Sequence, residues 1–153
     1  MINIEHDLSN TYNFIKPCKL TGLLHGGEKP SVLIFPGGGY SFVSPREGMP
    51  VALRFYERGY NAFILEYSTG KDALYPMPLL QAYAALLYIR KNAKELNCSQ
   101  KIAVCGFSAG GHLASMTAVY YNKEIILSSF NINKYEAKPD ACILCYAVLS
   151  ANV

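Results

Sequence analysis

Gly106-Phe107-Ser108-Ala109-Gly110 fits the pattern G-x-S-x-G, in which a serine stands on a sharp turn between a strand and a helix. Small residues two positions to either side let the chain turn without collision, so the Ser108 hydroxyl is expected to project outward. The N–H of Ala109, opening the helix, then points toward the negative oxygen that forms when a carbonyl is attacked. A second segment, Pro36-Gly37-Gly38-Gly39-Tyr40, leaves backbone N–H groups uncovered and able to approach an oxygen closely. The chemistry these residue types suit is attack of a hydroxyl on a carbonyl carbon, with backbone donors holding the oxyanion.

Such chemistry requires two loops distant in sequence to share one place. Ser31-Val32-Leu33-Ile34-Phe35 is a short apolar run stopped by Pro36 and three glycines, which predicts a buried strand ending in a tight loop. A helix is expected over 50–58, with Pro50 at its start, an apolar face of Ala52, Leu53, Phe55 and Tyr56, and Gly59 as its left-handed stop. The pattern continues with a strand over 60–66, a helix over 78–96, a strand over 101–105, a helix over 109–121 and a strand over 140–149. Residues 12–24 read as one strand or two, and the residues before them as an arm. The alternation predicts an α/β fold with a mostly parallel sheet and helices on both faces. Ligands bind such sheets at the carboxyl ends of the strands, so the loops after Phe35, Glu66, Cys105 and Leu149 should share one rim.

Composition narrows the partners. A length of 153 residues suggests one domain, 1–153, and 51% hydrophobic against 16% charged residues excludes a disordered chain. Lys and Arg total 14 against 11 Asp and Glu and are scattered, which argues against nucleic acid or an acidic membrane as partner. The longest apolar run, 141–149, is too short to span a membrane, and the amino terminus carries no export pattern, so a cytoplasmic location is expected. The five cysteines read as reduced, buried thiols. Cys142 and Cys145 stand three apart in a strand, hence on opposite faces, so no metal or redox pair is expected and no cofactor is called for.

Phe35-Pro36-Gly37-Gly38-Gly39-Tyr40, Leu65-Glu66-Tyr67-Ser68, Gly106-Phe107-Ser108-Ala109-Gly110-Gly111-His112-Leu113-Ala114 and the segment from Pro139 to Ser150 carry a resemblance. The chain resembles the amino-terminal part of an α/β-hydrolase of the esterase and lipase branch, and within it the acetyl xylan esterase-like carboxylesterases. That resemblance implies Ser108 as nucleophile, with Ala109 and Gly38 or Gly39 supplying oxyanion N–H groups. It implies hydrolysis of a small ester, acetyl or short acyl, on a sugar or similar alcohol, through an acyl-enzyme. Related esterases often have a His where this chain has Pro36, and the PGGGY form resembles the xylan-esterase-like subgroup. Tyr40, Tyr67 and Tyr75 lie in or near the predicted rim loops, where a tyrosine can stack on a sugar.

The partners of such a serine are expected in the order Asp or Glu, then His. After Ser108 come one histidine, His112, and three acids, Glu124, Glu136 and Asp140, so the order is wrong. His112 reads as a helix residue near the elbow, and His25-Gly26-Gly27 as a turn before its strand. Asp140 is expected at the opposite end of the sheet. The expectation is therefore a fold truncated before its last strands, with one sheet edge open to self-association. An inert module keeping the hydrolase framework is the alternative, and a Rossmann-type nucleotide site a weaker one, because Ser108 stands where that fingerprint needs Gly.

Overall fold

The structure, a computed structural model, describes residues 1–150. Six strands, β1 (Ile2–Asp7), β2 (Lys19–Leu24), β3 (Lys29–Phe35), β4 (Asn61–Glu66), β5 (Cys98–Phe107) and β6 (Ala141–Cys145), form one sheet in the spatial order β1-β2-β4-β3-β5-β6. β3 runs parallel to β4 and β5, and β6 parallel to β5, whereas β1 and β2 pair antiparallel at the other edge. Helices α1 (Met49–Glu57), α2 (Met77–Lys91) and α3 (Ala109–Val119), then α4 (Glu124–Phe130) and α5 (Lys134–Ala137), occupy the crossovers. The four parallel strands end on one rim, at Phe35, Glu66, Phe107 and Cys145.

Alternation along β3 shows why its sequence is apolar throughout. Val32 and Ile34 pack with Ala52 of α1 on one face, while Leu33 and Phe35 pack with Leu79 of α2 and Leu113 of α3 on the other. The helix α2 is buried along most of its length, so its apolar residues extend around the helix rather than along one stripe. Its buried Gln81 is fully used: Nε2 donates to the Lys16 carbonyl at 3.0 Å and to Ser68 Oγ at 2.8 Å, and Oε1 accepts the Ser68 N–H at 2.7 Å. This ties the rim loop after β4 to the helix.

Several elements differ from the sequence expectations. The amino-terminal arm is the edge strand β1, which buries none of its residues fully and so carries no apolar run to announce it. Residues 12–18 form no strand, since the chain turns through a short 3-10 segment at Leu8–Asn10 and reaches β2 at Lys19. The helix expected to 96 stops at Lys91, where the Asn92 side chain donates to the Tyr88 carbonyl at 2.8 Å. The connection from 122 to 140 folds into α4, closed by left-handed Asn131, and α5, opened by reciprocal bonds between Asn133 and Glu136. β6 ends at Cys145 rather than near 149, for a reason that belongs to the site. It is an edge strand with Ile143 and Leu144 exposed, the feature on which the expectation of self-association rests.

At the rim opposite the carboxyl ends, Arg90 joins three segments. Its Nε donates to the Gln100 carbonyl at 3.1 Å, Nη1 to the Glu136 carbonyl at 2.6 Å and Nη2 to Asp140 Oδ2 at 2.8 Å. Asp140 also accepts the Ile102 N–H at 2.8 Å, so β5 and β6 enter the sheet in register there. Arg90→Ala should destabilise the fold by about 2–3 kcal/mol, the loss of charge-assisted bonds. Urea unfolding checks this, with the exposed neighbour Lys91→Ala expected within about 0.5 kcal/mol of the parent.

Candidate active site

Ser108 stands between β5 and α3 with φ 50° and ψ −116°, a conformation L residues rarely adopt. Three backbone bonds hold it there. Its N–H donates to the Cys145 carbonyl at 3.0 Å, and its carbonyl accepts from His112 N–H at 3.0 Å and Val148 N–H at 3.3 Å. The chain after β6 therefore folds over the elbow instead of continuing the sheet, which is why β6 stops early.

The glycines around Ser108 are required by close approach. A Cβ on Gly110 would lie 2.0 Å from the Phe35 carbonyl oxygen, and one on Gly106 would lie 2.0 Å from the Gly110 oxygen. These contacts press the first turn of α3 onto the ends of β3 and β5. The loop after β3 is equally constrained: Gly38 has φ 133°, and a Cβ there would lie 2.0 Å from the Phe42 oxygen. Gly39 also has positive φ, 61°, but open space around it.

Three N–H groups near the elbow, those of Gly38, Gly39 and Ala109, have no acceptor among the described residues. The Gly37 N–H, in contrast, is taken by Glu47 Oε2 at 2.7 Å. The other oxygen of Glu47 accepts the Tyr146 hydroxyl at 2.5 Å, so this carboxylate joins the loop after β3 to the loop after β6. The bond to Glu47 pushes Tyr146 ionisation up to about 12, above its ordinary 10.0. Buried Tyr67 donates to the Pro36 carbonyl and fixes the same loop from the β4 side. Neither Glu47 nor Tyr146 was foreseen, since no spacing rule connects an acid ten positions beyond a glycine loop to a tyrosine 99 positions further on.

Ser108, Ala109, Gly39, Tyr40 and His112 line a cleft of about 330 Å³ with Val148 and Leu149 of the last loop. The Ser108 hydroxyl has no hydrogen-bond partner among the described residues, and no carboxylate or second imidazole lines the cleft. His112 engages the Tyr40 hydroxyl through Nδ1 at 2.8 Å. His25 is at the far rim, stacked on Tyr56 with its N–H on Asn61, in agreement with a turn role. His6 stacks on Tyr88. Asp140 sits at the amino end of β6, again the far rim, while Glu136 is committed to the start of α5. Of the rim tyrosines, Tyr67 is only 3% exposed and unavailable for stacking, whereas Tyr40 is half-buried and Tyr75 exposed.

Cys18, Cys98 and Cys105 are buried, and burial pushes the Cys18 thiol up to about 12. Cys142, against expectation, is exposed, because it lies on the edge strand. Cys142 faces α3, with Sγ toward the Ala114 carbonyl, and Cys145 packs on the α1 side, so the pair does point to opposite faces.

A mostly parallel sheet with a strained serine turn at its carboxyl rim, next to a glycine loop, defines an α/β-hydrolase. The BD-FAE family matches residues 24–149, and the chain belongs to that family. It is 34% identical, over an alignment of 154 positions covering 97% of this chain, to endo-1,4-beta-xylanase B of Butyrivibrio fibrisolvens. It is 29% identical over 130 residues to an acetylxylan esterase of Xylanibacter ruminicola, covering 82% of this chain. It spans 24% of each of these two relatives. The crystal structure of an acetyl ester-xyloside bifunctional hydrolase from Caldicellulosiruptor lactoaceticus superposes with a TM-score of 0.77 at 30% identity, covering 96% of this chain and 58% of that one.

Two predictions follow from the packing. Gly110→Ala should cost more than about 2 kcal/mol in urea unfolding because backbone must move, whereas Gly39→Ala meets only its conformational penalty of about 1–2 kcal/mol. Glu47→Ala should return Tyr146 ionisation from about 12 toward 10.0, read by NMR titration of ring-labelled tyrosine; an unmoved Tyr146 contradicts the bond.

Proposed function

We infer that Ser108 is the nucleophile of an acyl transfer and that the N–H groups of Ala109 and of Gly38 or Gly39 hold the oxyanion. The observation that carries this reading is the strained Ser108 turn beside the unpartnered N–H groups of Gly39 and Ala109 in one cleft, with that of Gly38 in the same loop. Ser108 Oγ attacks the ester carbonyl carbon and gives its proton to solvent, the carbonyl oxygen becomes an anion facing the donors, and collapse breaks the ester C–O bond, the alkoxide leaving as alcohol with a proton from solvent and the acyl-enzyme being hydrolysed by water. The donors are fixed before substrate arrives, so little reorganisation is needed as charge develops.

The relatives support the substrate class proposed: a carboxylic ester with a small acyl group, acetyl above all, on a sugar or similar alcohol. The cleft suits it, with polar donors at the serine and apolar Val148 and Leu149 opposite. Nothing in the reaction calls for a metal or cofactor.

A serine hydroxyl is a weak nucleophile without a base, and no base reaches Ser108 among the described residues. Oxyanion donors and binding alone leave a residual acceleration of about 10³–10⁴ over water. These 153 residues should therefore hydrolyse p-nitrophenyl acetate slowly, and mass spectrometry should find acetyl on the Ser108 peptide, an adduct that Ser108→Ala lacks even where a donor-only rate survives. A Ser108 peptide that never carries acetyl, in a chain folded by circular dichroism, would contradict the reading and favour an inert hydrolase framework.

A further inference from the structure

His112 lies one helical turn beyond Ser108, its N–H closing that turn on the Ser108 carbonyl at 3.0 Å. Residues four apart share a helix face, so the imidazole is carried to the same side as the elbow. It forms part of the Ser108 cleft and also of a smaller cavity of about 130 Å³ lined by Tyr40, Tyr75, Pro78, Leu79 and Met116. Tyr40 is held on the opposite wall: its carbonyl accepts the Gly70 N–H at 2.7 Å and its ring packs edge-on to Tyr67.

The proton count across this pair is informative. A neutral imidazole carries one proton, on Nδ1 or on Nε2. The Tyr40 hydroxyl has no acceptor other than His112 Nδ1 among the described residues, and burial raises its ionisation to about 12, so it keeps its proton. A proton on Nδ1 would make the hydroxyl an acceptor and leave its own half-buried O–H unpaired within the protein. With the hydroxyl donating to Nδ1, both groups are satisfied and the imidazole proton resides on Nε2. Nε2 has no partner among the described residues.

We propose that Tyr40 and His112 form a hydrogen-bonding subsite for the alcohol portion of the ester, with His112 Nε2–H donating to a hydroxyl or ether oxygen. Tyr40 is its positioning residue, holding the tautomer. This rests on the cleft being an ester site and narrows its substrates to acylated polyols. A simple alkyl ester would cover Nε2–H without pairing it, and a site that leaves a polar group unpaired disfavours such a ligand. The same arrangement prevents His112 from serving Ser108 as a base, because one nitrogen already bears a proton and the other accepts from Tyr40.

The test uses the whole chain carrying Ser108→Ala, so that ester is not consumed. Its imidazoles are ¹⁵N-labelled, and the His112 signal is assigned by its loss in His112→Asn. At a pH where the imidazole is neutral, the proton should reside on Nε2. Methyl 2-O-acetyl-β-xyloside should shift Nε2 saturably, and butyl acetate should not. Tyr40→Phe should mix the tautomers and weaken xyloside binding about 2- to 12-fold, the loss of one neutral hydrogen bond. A proton on Nδ1, a silent Nε2, an equal response to butyl acetate or an unaltered Tyr40→Phe chain would each overturn the proposal. No turnover is measured, so an inactive Ser108 would remove the esterase reading alone, whereas a moving Ala109 amide with a silent Nε2 would remove the subsite alone.

Discussion

The rim of this protein depends on one close approach, that of the first turn of α3 to the ends of β3 and β5. Gly106 and Gly110 bring backbone within a distance that no side chain would permit, with the Phe35 carbonyl against Gly110. That packing forces the chain through Ser108 in a strained conformation, which costs roughly 1–3 kcal/mol and persists only if its surroundings over-determine it. Here they do: Cys145, His112 and Val148 all bond to the Ser108 backbone. Strain at Ser108 is thus the local result of burying α3 tightly on the sheet, and exposure of its hydroxyl on the cleft wall is the consequence.

The glycine loop is a second, separately anchored piece. Tyr67 holds the Pro36 carbonyl, Glu47 holds the Gly37 N–H, and the strands β3 and β5 run in register up to Phe35 and Gly106. With Gly37 occupied, the N–H groups left over are those of Gly38 and Gly39, next to that of Ala109. The proposed oxyanion role requires donors fixed before charge develops, and the carboxylate of Glu47 fixes this loop without facing the cleft itself.

Much of this was legible in the residues. The unbroken apolar run at 31–35, the buried-strand segments at 60–66 and 101–105 and the G-x-S-x-G turn were enough to place β3, β4, β5 and α3 and to put both loops on one rim. What escaped reading had physical reasons. β1 is an edge strand that buries little, so it left no hydrophobic signature. β6 stopped four residues short of its apolar run because Tyr146 turns the chain left-handed, with φ 37°, and the Val148 N–H is drawn to the Ser108 carbonyl. Glu47, Tyr146 and the Tyr40–His112 pair act through contacts between residues 72 or more positions apart, or through a loop path that no local pattern encodes. The exclusions fared better: His25 and Asp140 were expected away from the serine and lie at the far rim.

The proposed acyl-transfer rim rests on a strained serine with unpartnered donors beside it and no base among the described residues. The most direct measurement is the site of covalent capture. An alkyl fluorophosphonate, whose tetrahedral adduct places an oxygen toward the oxyanion donors, should modify the peptide containing Ser108, slowly but ahead of those containing exposed Ser41 and Ser128. Modification of Ser41 and Ser128 at a rate equal to or above that of Ser108, in the folded chain, would contradict the account.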